Sequence, residues 1–174
     1  MTKKNNEAMY TSTSQLWETP EEVLTLVRKV GVITLDPCST KSNPTGARRV
    51  YTPEDNGLSH PWNVVGLNFV NPPYKYCKEW VTKIVAESAR GCEVVALIPA
   101  RTDTRYWQDW IFPTAKSICF WKGRIKFLDP TGNGASVARH PAPMPTALIY
   151  WGNQEGQSAF DTVFSAKGRI VHTR

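Results

Sequence analysis

The chain has 174 residues, enough for one sizeable core and a single domain. Its 41% hydrophobic and 21% charged residues are ordinary for a globular protein, no apolar run approaches the ~20 residues of a membrane span, and the start MTKKNNEAMY lacks the apolar segment of a secretory signal. A formal net charge of +6 permits a polyanionic partner, while Cys38, Cys77, Cys92 and Cys119, with His60, His140 and His172, lack the spacing of a disulfide framework or a metal site.

Residues 1–16 are polar and read as a flexible tail, leaving 17–174 as one domain. In WETPEEVLTLVRKVG, Thr19 reads as an N-cap, Pro20 as the first helical position and Glu22 as the partner of a capping box. Val23, Leu24, Val27 and Val30 form an apolar stripe at helical spacing, and Gly31 ends it. VITLDPCST is a strand that stops at Asp36-Pro37. Residues 39–63 read as a long irregular connection carrying Lys41, Arg48 and Arg49. VVGLNFV is a second strand, and it ends on Asn71-Pro72-Pro73-Tyr74.

A helix follows in YKYCKEWVTKIVAESARG, with Cys77, Trp80, Val81, Ile84 and Val85 inward. CEVVALIPA is near-continuously apolar, as in a strand buried on both faces. TDTRYWQDWIF predicts a short helix ended by Pro113, and AKSICFWKGRIKFL contains another strand, with Arg124 and Lys126 alternating with Ile125 and Phe127. DPTGNGASVARHPAPMP reads as a flexible loop or hairpin tip, TALIYWG as a strand, and AFDTVFSAKGRIVHT as a short helix and a last strand. This alternation predicts an α/β fold, a compact, largely parallel sheet with helices on both faces. Ligands bind such sheets at the carboxyl ends of strands, where Asp36, Asn71 and Arg101 would converge.

The Asn-Pro-Pro-Tyr corner has its own chemistry. Asn71 offers an amide oxygen, Pro72 a carbonyl held by the ring of Pro73, and Tyr74 a flat face. Two acceptors beside an aromatic face suit a planar group bearing an NH₂, such as a nucleobase. One acceptor per N–H also favours a tetrahedral nitrogen whose lone pair leaves the ring and can attack an electrophilic methyl group. The bland alternative is a strand-to-loop corner with Asn as a turn residue and Tyr as packing.

Asn71 to Tyr74 resembles the catalytic motif of amino-group methyltransferases that use S-adenosylmethionine, which include enzymes acting on protein glutamine and on RNA adenine. WETP, LDPCST, YTPEDNGL, NPPY, IPARTDTRYW and GRIKF follow in that order between Trp17 and Trp151. The series resembles the small phage-encoded DNA N-6-adenine methyltransferases of the Dam-like family. That resemblance implies a Rossmann-like methyltransferase fold, S-adenosylmethionine as cofactor, DNA as partner, and methylation of a flipped-out adenine in a bacterial cytoplasm. It makes Asn71, Pro72, Pro73 and Tyr74 the catalytic set. The usual glycine-rich cofactor loop is absent: Asp36-Pro37-Cys38-Ser39 stands where it would begin.

For the cofactor the resemblance points to Asp36, with Pro37, as acceptor for its ammonium, against a plain Asp-Pro turn. Asp55 is a turn residue or a partner for its adenosine. Trp17 and Thr19 line its pocket or serve as helix staple and cap. Arg101 and Arg105, Arg48 and Arg49, and Arg124 and Lys126 are the candidates for DNA phosphates. A monomer is favoured. The rival functions are methylation of RNA adenine or protein glutamine, and a DNA-binding relic without catalysis.

Overall fold

The computed structural model describes residues 17–128 and 139–173. The predicted tail, 1–16, and residues 129–138 of the predicted loop lie outside the described residues. In chain order the elements are α1 (Glu21–Val30), β1 (Ile33–Asp36), β2 (Arg49–Val50), β3 (Leu67–Val70), a 3₁₀ turn (Tyr74–Tyr76), α2 (Cys77–Ala89) and β4 (Glu93–Pro99). There follow a π-helical turn (Trp107–Ile111) running into α3 (Phe112–Thr114), β5 (Ser117–Trp121), β6 (Lys126–Leu128), β7 (Arg139–Pro141), β8 (Thr146–Trp151), α4 (Gln154–Phe164) and β9 (Gly168–His172). No helix among the described residues is long and apolar enough to cross a membrane.

Seven strands form one sheet in the order β2-β1-β3-β4-β8-β5-β9. The half from β2 to β4 is parallel, as expected. The other half corrects the expectation of a largely parallel sheet, because β8 lies antiparallel between β4 and β5, and β9 is antiparallel to β5. The reason is the connection. A parallel return needs a crossover, usually a helix. Instead the chain leaves β5 into a two-stranded ribbon, β6–β7, at the edge where β5 ends. β8 therefore starts at that edge, with Thr146 opposite Pro99, and runs back.

Helices cover both faces. Along β4, Val94, Ala96 and Ile98 face α2 and the π-helical turn, while Val95 and Leu97 face α1 and α4. This is the burial on both sides that its continuous apolar run predicts. In α2, Cys77, Trp80, Val81 and Ile84 are buried and Val85 is half-buried. The long connection is irregular apart from β2, which pairs with the end of β1.

The start of α1 departs from its predicted cap. Pro20 is the N-cap, and no side chain caps the helix. The Pro20 carbonyl accepts from the N–H groups of Val23 and Leu24. The Thr19 hydroxyl turns away from the helix, to the side chain of Asn71.

Candidate active site

Because β1, β3 and β4 are adjacent and parallel, Asp36, Asn71 and Arg101 all fall at one edge of the sheet. The backbone at the Asn71 corner is stiff, with two prolines in succession. The Pro73 carbonyl accepts from the Tyr76 N–H, which closes the 3₁₀ turn. No described residue donates to the Pro72 carbonyl.

The Asn71 side chain is held from one side. Its Nδ2 donates to the Trp17 carbonyl at 3.2 Å and to Thr19 Oγ1 at 3.1 Å. The carbonyl can only accept, so the NH₂ must face it. Oδ1 then points the other way, and no described residue donates to it. The corner thus keeps two acceptors uncommitted, as the sequence predicts for Asn71 and Pro72.

An apolar cleft of about 350 Å³ opens here, lined by Trp17, Asn71, Pro72, Tyr74, Phe127 and Met144. The Trp17 and Tyr74 rings each stand edge-on to Phe127, at 6.5 and 6.2 Å and both at 85°. The Tyr74 hydroxyl is buried, with no partner among the described residues. Burial, with Cys77 and Tyr106 nearby, holds its pKa far above that of a free phenol. The Tyr74 phenol is therefore neutral.

A second, narrower cleft of about 40 Å³ shares Trp17 and Asn71 with the first. Its walls include Thr19, Asp36, Ser39 and Thr45. Asp36 is 5% exposed and accepts from the Cys38 N–H at 3.1 Å and Thr45 Oγ1 at 3.2 Å. Burial pushes its pKa up to about 6, against those hydrogen bonds. Ser39 tempers that rise, yet its buried hydroxyl has no partner with hydrogen-bond geometry. Across the mouth, Glu18 accepts from Thr40 Oγ1 at 3.3 Å and Ser42 Oγ at 2.9 Å.

The sequence candidates divide accordingly. Trp17, Thr19, Asp36 and Asn71 meet at the narrow cleft, and Pro72 and Tyr74 join Trp17 and Asn71 at the apolar one. Pro37 sits behind: a Cβ on Gly57 would lie 1.9 Å from its carbonyl oxygen. Asp55 is away from both clefts. It is an exposed turn residue whose Oδ2 accepts from the Thr52 N–H and Oγ1, each at 2.8 Å. Those bonds hold its carboxyl below the ordinary value and fix it in the turn.

Arg101, on the site edge, is exposed. Arg105 is exposed and paired with Asp109 at 3.3 Å. Arg48 is exposed, and the Arg49 guanidinium lies 4.8 Å from the centre of the Tyr51 ring. Arg124 and Lys126 are exposed while Ile125 and Phe127 are buried, the predicted alternation. Ser39, Thr45, Phe127 and Met144 are site residues that sequence reasoning missed. Ser39 stands in the same string as Asp36, and Phe127 in GRIKF; Thr45 and Met144 carry no local signal.

The family model described as DNA N-6-adenine-methyltransferase (Dam) matches residues 7–167. A protein of Escherichia phage T1, itself described as a DNA N-6-adenine-methyltransferase, is 26% identical over 95 residues. That stretch is 54% of this chain and 40% of the phage protein, so the match spans less than half of that relative. The family match runs from before Trp17 to beyond α4 and takes in both clefts, and by it the chain belongs to the DNA N-6-adenine-methyltransferase (Dam) family.

Proposed function

We propose that the chain transfers a methyl group from S-adenosylmethionine to the exocyclic nitrogen of adenine in DNA. One observation carries this reading most: the two clefts meet at Asn71, where two acceptors stand uncommitted. Asn71 Oδ1 and the Pro72 carbonyl take one N–H each, which turns the nitrogen lone pair away from the ring. Trp17, Tyr74 and Phe127 wall the apolar cleft and exclude water from the base. An adenine in a duplex reaches it only when flipped out, at about a few kcal/mol.

S-adenosylmethionine, when bound, supplies the electrophilic methyl group. The narrow cleft fits its amino-acid portion in donor chemistry: Asp36 offers a carboxylate to an ammonium, and the unpartnered Ser39 hydroxyl offers a further polar contact. Glu18, bridged to Thr40 and Ser42, adds a second carboxylate to the wall of this cleft. A glycine-rich loop is not needed to bring these groups together, because β2 pins the returning chain beside Asp36 through the pair Asp36–Val50.

DNA as the acceptor is supported by the family and by the cations at the site edge. Residues 121–128, WKGRIKFL, hold three cations and no acid, and the ribbon they enter supplies Phe127 to the base cleft. Arg101, Arg124 and Lys126 provide sequence-independent affinity for phosphates. The test is transfer of labelled methyl groups to duplex DNA, RNA and a glutamine-bearing protein in parallel. Label in N6-methyladenine of DNA is expected. Label only in RNA or protein, or none with S-adenosylmethionine unbound by calorimetry, refutes the proposal.

A further inference from the structure

Residues 17–19 cross the catalytic corner as a strap. The Glu18 N–H donates to the Leu128 carbonyl at 2.9 Å, and the Leu128 N–H donates back at 3.0 Å. Trp17 leans edge-on against Phe127, and α1 begins two residues after Thr19. The strap is therefore fixed at both ends, and Thr19, 3% exposed, sits between them.

A threonine at the N-cap gives its oxygen to a free N–H of the first turn, but here Pro20 holds that position and Thr19 stands one residue earlier. The helix has no side-chain cap, and Thr19 Oγ1 accepts from Asn71 Nδ2. Together with the Trp17 carbonyl it takes both amide protons of Asn71. A primary amide has two protons and one oxygen, so this leaves only Oδ1 for the cleft. Were the amide turned over, its oxygen would face the Trp17 carbonyl, acceptor against acceptor.

From this geometry we infer that Thr19 is a positioning residue that sets the Asn71 amide, and that the strap makes the corner specific for asparagine over aspartate. The inference rests on the proposed role of Asn71. An aspartate at position 71 has no proton for the Trp17 carbonyl when ionised. Only the neutral acid restores a donor towards the strap while leaving a carbonyl oxygen for the cleft.

Three variants test this. Thr19→Val removes the acceptor, and kcat for DNA methylation should fall about tenfold. KM for DNA should stay unchanged, any loss of calorimetric affinity for S-adenosylmethionine should be smaller than the loss in kcat because Thr19 also walls the narrow cleft, and Thr19→Ser should restore the rate. At saturating S-adenosylmethionine, which offsets the loss of charge on neighbouring Asp36 that both chains undergo below about pH 6, Asn71→Asp should be inactive at pH 8 and gain kcat as pH falls, a gain the wild-type chain should not show. Wild-type kcat in Thr19→Val, a loss confined to cofactor affinity, or an Asn71→Asp variant active at pH 8 would overturn the inference. Should Thr19→Val not fold, the Asn71→Asp profile decides alone.

A readout independent of activity separates this inference from the proposed function. The side-chain amide protons of Asn71 should exchange with solvent at least tenfold faster in Thr19→Val than in the wild type, measured by NMR. Equal exchange rates refute the strap's hold. A wild-type chain that shows such protection but methylates nothing would sink the proposed function and leave the orientation of Asn71 standing.

Discussion

Replacing Asp36 with asparagine separates what the buried carboxylate does to the fold from what it does for a ligand. The pKa of Asp36 is pushed from an ordinary 3.8 to about 6. Burial is the main cause, and the hydrogen bonds from the Cys38 N–H and Thr45 Oγ1 offset only part of it. One pH unit is worth about 1.4 kcal/mol, so an ionised Asp36 costs the ligand-free fold about 3 kcal/mol. The folded pKa lies above the unfolded one, so the folded chain binds this proton more tightly. The group's contribution to stability is then fully present below about pH 4 and is lost as pH rises through about 6.

Asparagine keeps the shape of Asp36. Its oxygen can accept from the Cys38 N–H, and its NH₂ can donate to Thr45 Oγ1. Allowing for an imperfect fit of the amide, Asp36→Asn should stabilise the ligand-free chain by about 2 kcal/mol at pH 8, roughly 4–8 °C in Tm. At pH 4 the two proteins should melt together. Binding should move the other way. Wild-type affinity for S-adenosylmethionine should weaken by about tenfold per pH unit below about 6, as Asp36 takes up its proton. The variant should bind weakly at every pH. Melting curves and calorimetry between pH 4 and 8 read both effects. A variant less stable than wild type at pH 8, or one that binds the cofactor equally well, would make Asp36 a turn residue and nothing more.

Gly57→Ala should damage the cofactor site from behind, since its Cβ would meet the Pro37 carbonyl at 1.9 Å; calorimetry should show weakened S-adenosylmethionine binding, with α2 and β4 still protected from hydrogen exchange. Phe127→Ala removes the ring on which Trp17 and Tyr74 both rest, at a cost of about 3–5 kcal/mol in stability; methyl transfer should fall even well below the new Tm. Arg124→Ala and Lys126→Ala should each reduce the slope of log K against log salt by about one for DNA of any sequence; unchanged slopes would place the DNA elsewhere.

Much of the frame was legible in the sequence because the signals were local. The β4 run CEVVALIPA has no polar face, so burial on both sides followed from composition. The convergence of Asp36, Asn71 and Arg101 followed from the parallel pairing of three consecutive strand-ends. The direction of β8 was not legible, because a strand apolar throughout looks alike in either sense. What reverses it is the β6–β7 ribbon, whose partner strands are three residues each and separated by a long stretch of sequence.

Within the site, the cap reading of Thr19 failed for a physical reason, while its place in the wall of the narrow cleft matches the other reading. Thr-Pro-Glu-Glu satisfies every local rule for a capped helix start, but Pro20 takes the N-cap position itself, and the Thr19 hydroxyl, one residue earlier, is turned to Asn71. Asp55 shows the reverse: it reads as a turn residue first and stays one, because Thr52 uses its carboxylate twice. Phe127, on β6, and Met144, beyond β7, reach the same cleft, a juxtaposition that no local spacing encodes.

The central claim is that Asn71 holds an adenine amino group for methylation. Nucleosides from the DNA of cells expressing the wild-type chain or Asn71→Ala, separated and weighed by mass spectrometry, test it directly. The account predicts N6-methyladenine with the wild type and none with Asn71→Ala, at equal levels of folded protein. N6-methyladenine at the same level with both, or none with the wild type while purified protein binds both DNA and S-adenosylmethionine, would contradict it.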